Sequence, residues 1–253
     1  MSKRIEEILE KLKGNLRVSS QPTQTTEYQC PKCQDRELIV EIRDGEEIAV
    51  PCECREQKII DRLIKHSGLT DELKLKSFSG FKITKATKAM FDIAYGYAKD
   101  FSKIRNERPN GVAFTGTVGT GKTHLLAAIA NNLLTRRVPV LFINTTNLLA
   151  ELLQAQFSED RSEMERKIGL VSNVDVAIFD DLAKEKVSEW GQTQYYRIIN
   201  HRYLECLPTL FSSNCDWDLL ADKLGEATMS RLYEMTRGRV ANIKTYDYRL
   251  KGE

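Results

Sequence analysis

No stretch of this sequence approaches the roughly 18 apolar residues that cross a bilayer, which excludes a membrane-spanning helix. Nor does it open with the apolar run of a secretory leader: MSKRIEEILEKLK is charged on alternate turns. Together these absences predict a cytoplasmic protein without a membrane partner. Neither sign of charge dominates, since 38 Lys and Arg stand against 36 Asp and Glu for a net charge of +2. That balance excludes a protein coated in basic charge for bulk nucleic-acid packaging, while leaving room for a local basic patch. There is no internal repeat and no low-complexity tract. At 253 residues the chain can hold one sizeable α/β core plus a small accessory module.

What is present is unevenly placed. Four of the six cysteines crowd into residues 30–54, as Cys30-Pro31-Lys32-Cys33 and Cys52-Glu53-Cys54. In a reducing compartment such clustering points to metal rather than to disulfides. Arg43-Asp44-Gly45, between the pairs, reads as a hairpin turn that would bring them onto one tetrahedral zinc ion. The second pair is C-x-C, one residue shorter than the commonest spacing. Cys206 and Cys215 stand apart and read as ordinary buried or strand-end residues.

Residues 3–13 place Ile5, Ile8, Leu9 and Leu12 on one stripe of a short helix, and residues 19–27 read as a polar linker. The stripe fits docking to a partner, or folding back onto its own module. A second helix is expected over 55–66. Beyond residue 85 the pattern alternates, with helix 86–104, strand 111–115, helix 123–136, strand 138–143, helices within 146–170, strand 174–179, helix 190–204 and strand 208–213. Short apolar strands separated by helices predict a parallel sheet covered on both faces. The expected divisions are an N-terminal helix (1–18), a cysteine-rich zinc module (28–68) and an α/β nucleotide-binding core (76–253).

Gly116-Thr117-Val118-Gly119-Thr120-Gly121-Lys122-Thr123 matches G-x-x-x-x-G-K-T, with a buried strand before it and a helix after it. Glycines let the loop wrap a phosphate chain closely, so that N–H groups and the positive helix end face the negative charge. Lys122 would reach the β and γ phosphates of ATP, and Thr123 would ligate Mg²⁺. The strand Val174–Phe179 ends in Asp180 and Asp181. Asp180 is expected to hold Mg²⁺ through water, and Asp181 to orient or deprotonate the attacking water. Asn214, ending a further apolar strand, would hold that water in line.

The order of these elements resembles the AAA+ ATPases, and more narrowly the bacterial and phage helicase loaders of the DnaC/DnaI type, a branch shared with the transposition helper IstB. The resemblance is carried by Gly116–Thr123, by Asp180-Asp181-Leu182 with Glu185-Lys186 and Ser188-Glu189-Trp190, by Ser213-Asn214, and by Met229-Ser230-Arg231-Leu232-Tyr233-Glu234-Met235. Phe78-Ser79-Gly80-Phe81 also fits, and the match covers roughly residues 52–240. It implies a sensor role for Asn214 and makes Arg231 an arginine finger that completes a neighbouring subunit's site, so that ATP turnover needs self-association in the ATP-bound form. Arg237 and Arg239 fit either a second phosphate sensor or plain basic surface. Many AAA+ proteins carry Glu where this chain has Asp181, which implies slow hydrolysis. With about twenty residues following Arg231, the helical lid of motor-type relatives is not expected.

Taken together, these features predict an ATP-dependent helicase loader. Its N-terminal region would grip a hexameric, DnaB-type replicative helicase and its core would hold single-stranded DNA, which would stimulate turnover. Arg161, Arg166, Lys167, Lys184 and Lys186 are the candidate DNA contacts, against the alternative of a solvated charged face. Two other functions stay open: an IstB-like transposition helper, and a nucleotide-gated scaffold with negligible hydrolysis.

Overall fold

Val176-Ala-Ile-Phe-Asp180 sorts its side chains by alternation. Val176 and Ile178 enter one apolar cluster, Ala177 and Phe179 another. Val112 and Phe114 against Ala113, and Leu210 against Phe211, divide the same way. Successive strand side chains point to opposite faces, so both faces of this sheet are buried and its strands read as continuous apolar runs. The computed structural model describes residues 28–43, 46–158, 162–184 and 186–245. The expected N-terminal helix and linker, Asp44, Gly45, Arg161 and Glu185 lie outside them. The chain divides into two compact units, Met1–Arg55 and Glu56–Glu253.

In the first unit, β1 (Leu38–Arg43) and β2 (Glu46–Pro51) form an antiparallel ribbon, with Leu38 opposite Pro51 and Val40 opposite Ala49. The cysteine pairs flank it. Cys54 is the first residue of α1 (Cys54–His66).

In the second unit, α2 (Asp71–Lys74) and α3 (Lys88–Ile104) precede an α/β run: β3 (Val112–Gly116), α4 (Lys122–Thr135), β4 (Val140–Asn144), α5 (Thr145–Gln156), α6 (Ser162–Asn173), β5 (Val176–Asp180), α7 (Glu189–Leu204), β6 (Thr209–Ser212), α8 (Trp217–Leu224), α9 (Glu226–Thr236) and β7 (Val240–Ile243). The strands lie in the order β4-β5-β6-β3-β7, and every pair is parallel. Helices α3 and α4 cover one face; α5 to α9 supply most of the other. Strand β3 sits between β6 and β7 although the chain runs from it to β4 at the far edge, so the order reverses there. Crevices at such reversals, beyond the C-terminal strand ends, are where α/β sheets bind ligands.

One buried cation organises the second face. Arg202 on α7 is fully buried and donates to the carbonyls of Val171 (3.0 Å), Val174 (2.8 Å) and Pro208 (2.6 Å) and to Thr209 Oγ1 (3.0 Å). Two of these groups lie at the C-terminal end of α6, where orphan carbonyls and the negative helix end favour a cation. Burial lowers the Arg202 pKa, and the array of acceptors offsets that cost.

Candidate functional site

The loop Gly116–Gly121 leaves β3 and runs into the N-terminus of α4, so its N–H groups and the positive helix end share one concavity. Gly116 has φ +115°, and a Cβ there would lie 2.0 Å from the Ile243 carbonyl oxygen. Gly121 has φ +87°, and its Cβ would meet the Phe81 ring at 2.6 Å. No side chain fits at either position, which is the physical content of those two motif glycines. The loop's far side is tied to β7: Thr117 N donates to Ile243 O (2.9 Å) and Thr117 Oγ1 to Thr245 O (2.7 Å). Phe81, from the segment before the core, stacks on Phe91 and meets His124 edge-on.

Lys122 is buried, with its Nζ donating to Gly116 O (2.9 Å), Thr117 O (2.7 Å) and Asn214 Oδ1 (2.9 Å). Thr123 Oγ1 donates to Asp180 Oδ1 (2.9 Å), which also accepts from Ser212 Oγ (2.5 Å). Asp181 accepts from Asn214 Nδ2 at Oδ1 (3.3 Å) and from Lys184 Nζ at Oδ2 (2.9 Å). Lys122, Thr123, Asp180, Asp181 and Asn214 therefore converge, through three parallel strands ending side by side.

Burial pushes the Asp180 carboxyl above its usual range; the Ser212 and Thr123 hydroxyls work against that shift, and the charge of Asp181 adds to it. Among the described residues no cation pairs with Asp180. A buried carboxylate beside a hydroxyl, both hard oxygen donors, fits a Mg²⁺ that keeps most of its waters. Thr123 and Asp180 are the residues that would hold it.

Arg231 lies elsewhere. On α9 its Nε donates to Asn200 Oδ1 (2.8 Å) and its Nη1 to Ala227 O (2.7 Å), while its guanidinium sits 5.0 Å from the Tyr196 ring centroid. None of these partners belongs to the nucleotide site. Arg239 donates to Pro109 O (2.7 Å), and Arg237 is exposed. Among the basic candidates, Lys167 pairs with Glu151 (2.9 Å), Arg166 and Lys186 are exposed, and Lys184 pairs with Asp181.

In the first unit, the sulfurs of Cys30, Cys33, Cys52 and Cys54 all lie within 4.8 Å of one another, with Cys30–Cys52 at 3.8 Å and Cys33–Cys54 at 3.4 Å. A Zn–S length of about 2.3 Å gives a tetrahedral edge of about 3.8 Å, so the constellation fits zinc in donor type and span. The Cys33 backbone N–H draws the Cys30 thiol down to about 7, whereas Cys54 is pushed up, by burial and then by the neighbouring sulfurs. The other two cysteines are set apart: Cys215 is buried against Ala183 O, and Cys206 accepts from Arg108.

Residues 54–253 match the family described as IstB-like ATP binding protein. The chain belongs to this family. The chain is also similar to the phage-like element PBSX protein XkdC of Bacillus subtilis, 31% identical over 264 residues covering 99% of this chain and 97% of that one. The replicative helicase loader DnaI of the same organism is 30% identical over 65% of this chain and 52% of its own length, so the match spans about half of that relative. Among solved structures, the DnaC helicase loader superposes with a TM-score of 0.61 at 23% identity, covering 69% of this chain and 100% of that one. DnaI follows at 0.57 and 25%, covering 71% and 93%. The IstB/DnaC resemblance read from the phosphate loop, the paired acids and the Ser230-Arg231-Leu232 element is thereby established, as is the α/β core with a parallel sheet. Of the described helices, none is long and apolar enough to cross a membrane.

Sequence reasoning missed three contributors. Ser212 holds both acids, bonding Asp180 through its hydroxyl and accepting from Asp181 N (3.0 Å). Thr145 donates to the carbonyl of Asp181 (2.9 Å). Lys184 was read only as a DNA contact. The pair Ser212-Ser213 closing an apolar strand was the available signal for the first; nothing local marked the others.

Proposed function

We propose that this protein is an ATP-dependent loader of a hexameric, DnaB-type replicative helicase. The observation that carries the reading is the pairing, in one chain, of a nucleotide site with a four-cysteine module. Relatives named helicase loaders support it. In this reading Lys122 and the loop N–H groups bind the phosphates of ATP. Mg²⁺, held by Thr123 and Asp180, supplies charge neutralisation there. Asp181 accepts a proton from a water held by Asn214, as the water oxygen bonds the γ-phosphorus and the bond to the bridging oxygen breaks, releasing ADP. Arg231, remote from its own chain's site, serves the neighbouring subunit of an ATP-bound assembly. The shorter Asp181 suits slow turnover, stimulated when single-stranded DNA binds.

The zinc module carries the helicase grip. Its ribbon exposes Leu38, Val40 and Ile42 on one face, an apolar surface able to bind a protein. The test is capture of the host replicative helicase by the full chain, with zinc assayed in the same sample. Wild type and Lys122→Ala are expected to hold stoichiometric zinc and capture the helicase. Lys122→Ala should lose ATP-dependent delivery onto single-stranded DNA, and Cys52→Ser should lose zinc and capture together. Capture unaffected by Cys52→Ser would overturn the division of labour. A second reading is a transposition helper resembling IstB, the protein for which the family is named; zinc without helicase capture would shift the assignment to it.

A further inference from the structure

The turn after β5 is fixed by its backbone. Asp181 and Ala183 adopt left-handed φ of +55° and +54°. Leu182 N donates to Ser212 O (2.7 Å), Ser213 Oγ to Leu182 O (2.7 Å), and Lys223 Nζ to Ala183 O (2.7 Å). Onto this turn the Asp181 carboxylate is held from both sides. Asn214, itself bonded to Lys122, takes Oδ1; Lys184 takes Oδ2 at 2.9 Å. An ammonium seated on a carboxylate oxygen fills the place where an attacking water would hydrogen-bond. Lys184 thus opposes the work assigned to Asp181.

The two partners differ in freedom. Asn214 is half-buried, while the Lys184 side chain is 59% exposed and the Asp181 side chain 23%. Ion pairs this exposed are weakly held and yield to competing charge. Lys184 is also not alone at this edge: Lys186 is exposed two residues on, and the ammonium of Lys223 lies against the same turn. An anion drawn to this edge meets Lys184 among other cations.

We propose that Lys184 is a removable clamp on Asp181, and that a backbone phosphate of single-stranded DNA is what removes it. The proposal rests on the ATPase reading above and deepens it: DNA is sensed at the hydrolytic carboxylate itself, through one side chain. Its reach is modest, because an exposed pair contributes little.

ATP turnover is measured for the full chain with and without an oligothymidylate. Lys184→Gln should raise turnover without DNA about two- to fivefold and bring the stimulation by DNA close to one. Lys184→Arg, which keeps the pair, should behave as wild type, and so should Lys103→Gln, which breaks an exposed pair with Asp100 on α3. Turnover in Lys184→Gln that matches wild type in both conditions would overturn the clamp. An equal rise in Lys103→Gln would also overturn it, by assigning the effect to lost surface charge. Should no form show turnover above the Lys122→Ala background, the ATPase reading fails and the clamp with it; wild-type turnover above that background isolates the clamp as the part under test.

Discussion

The two units treat apolar residues in opposite ways. In the α/β core Val112, Phe114, Leu125, Ile178 and Phe211 are fully buried, whereas in the cysteine ribbon Leu38, Val40 and Ile42 are 46%, 66% and 75% exposed. A two-stranded ribbon is marginal by itself, so apolar burial holds the core, whereas the module would be held by a zinc ion shared among its four sulfurs. Sequence composition, averaged over the chain, conceals this difference.

The comparison is sharpened most by removing the zinc that the four cysteines would hold. Chelation of the full chain should cost the module on the order of 10 kcal/mol. Amide protection of β1 and β2 would vanish while that of β3 to β7 persists. Ribbon protection surviving chelation would break the contrast. Arg202→Ala acts on the other side. It leaves a set of buried carbonyls without a donor and should destabilise the core by about 3–5 kcal/mol, with zinc content unchanged; urea unfolding that shifts by less than about 1 kcal/mol would deny Arg202 its organising role.

The smallest effect concerns Asp180, where the core carries a polar burden for its ligand. Its carboxyl, raised by burial, holds a proton more tightly folded than unfolded. Its contribution to stability is therefore complete below the unfolded value, about 3.9, and is lost as pH rises through the folded one. Asp180→Asn should accordingly raise the Tm of the nucleotide-free protein by a few degrees near neutrality, and the gain should shrink in acid. The same variant should no longer be stabilised by Mg²⁺ and ATP. A fall in Tm at neutral pH would show that the carboxylate is held favourably without its cation.

Much of this was legible because the signals were local. The phosphate loop is eight contiguous residues, and Val176–Asp180 announces a buried strand with acids at its end. The cysteine spacing states its donors outright. Strand β7 was not foreseen: Val240-Ala-Asn-Ile243 is four residues long with a polar side chain in the middle, and only pairing with β3 makes it a strand. Helix α9 was recognised through the Ser230-Arg231-Leu232 element without being read as a helix, and α8 was not foreseen, because their apolar residues find partners only in the cluster they share with α7 and β6. Arg202, in Asn200-His-Arg-Tyr203, looks like any solvated helix residue; its five donors find their acceptors only once α6 and β6 are in place. Lys184 was hardest to read, since a lysine three residues after an acid fits equally well as a partner of that acid or of DNA.

The position of β7 also sets the order in which a newly made chain becomes competent. Thr117, inside the phosphate loop, bonds Ile243 and Thr245, partners that leave the ribosome more than a hundred residues later. Until then the edge of β3 is open and the loop lacks one wall. A nascent chain carrying the whole G-x-x-x-x-G-K-T motif therefore lacks a complete wall to its phosphate loop while the rest of its core is being made.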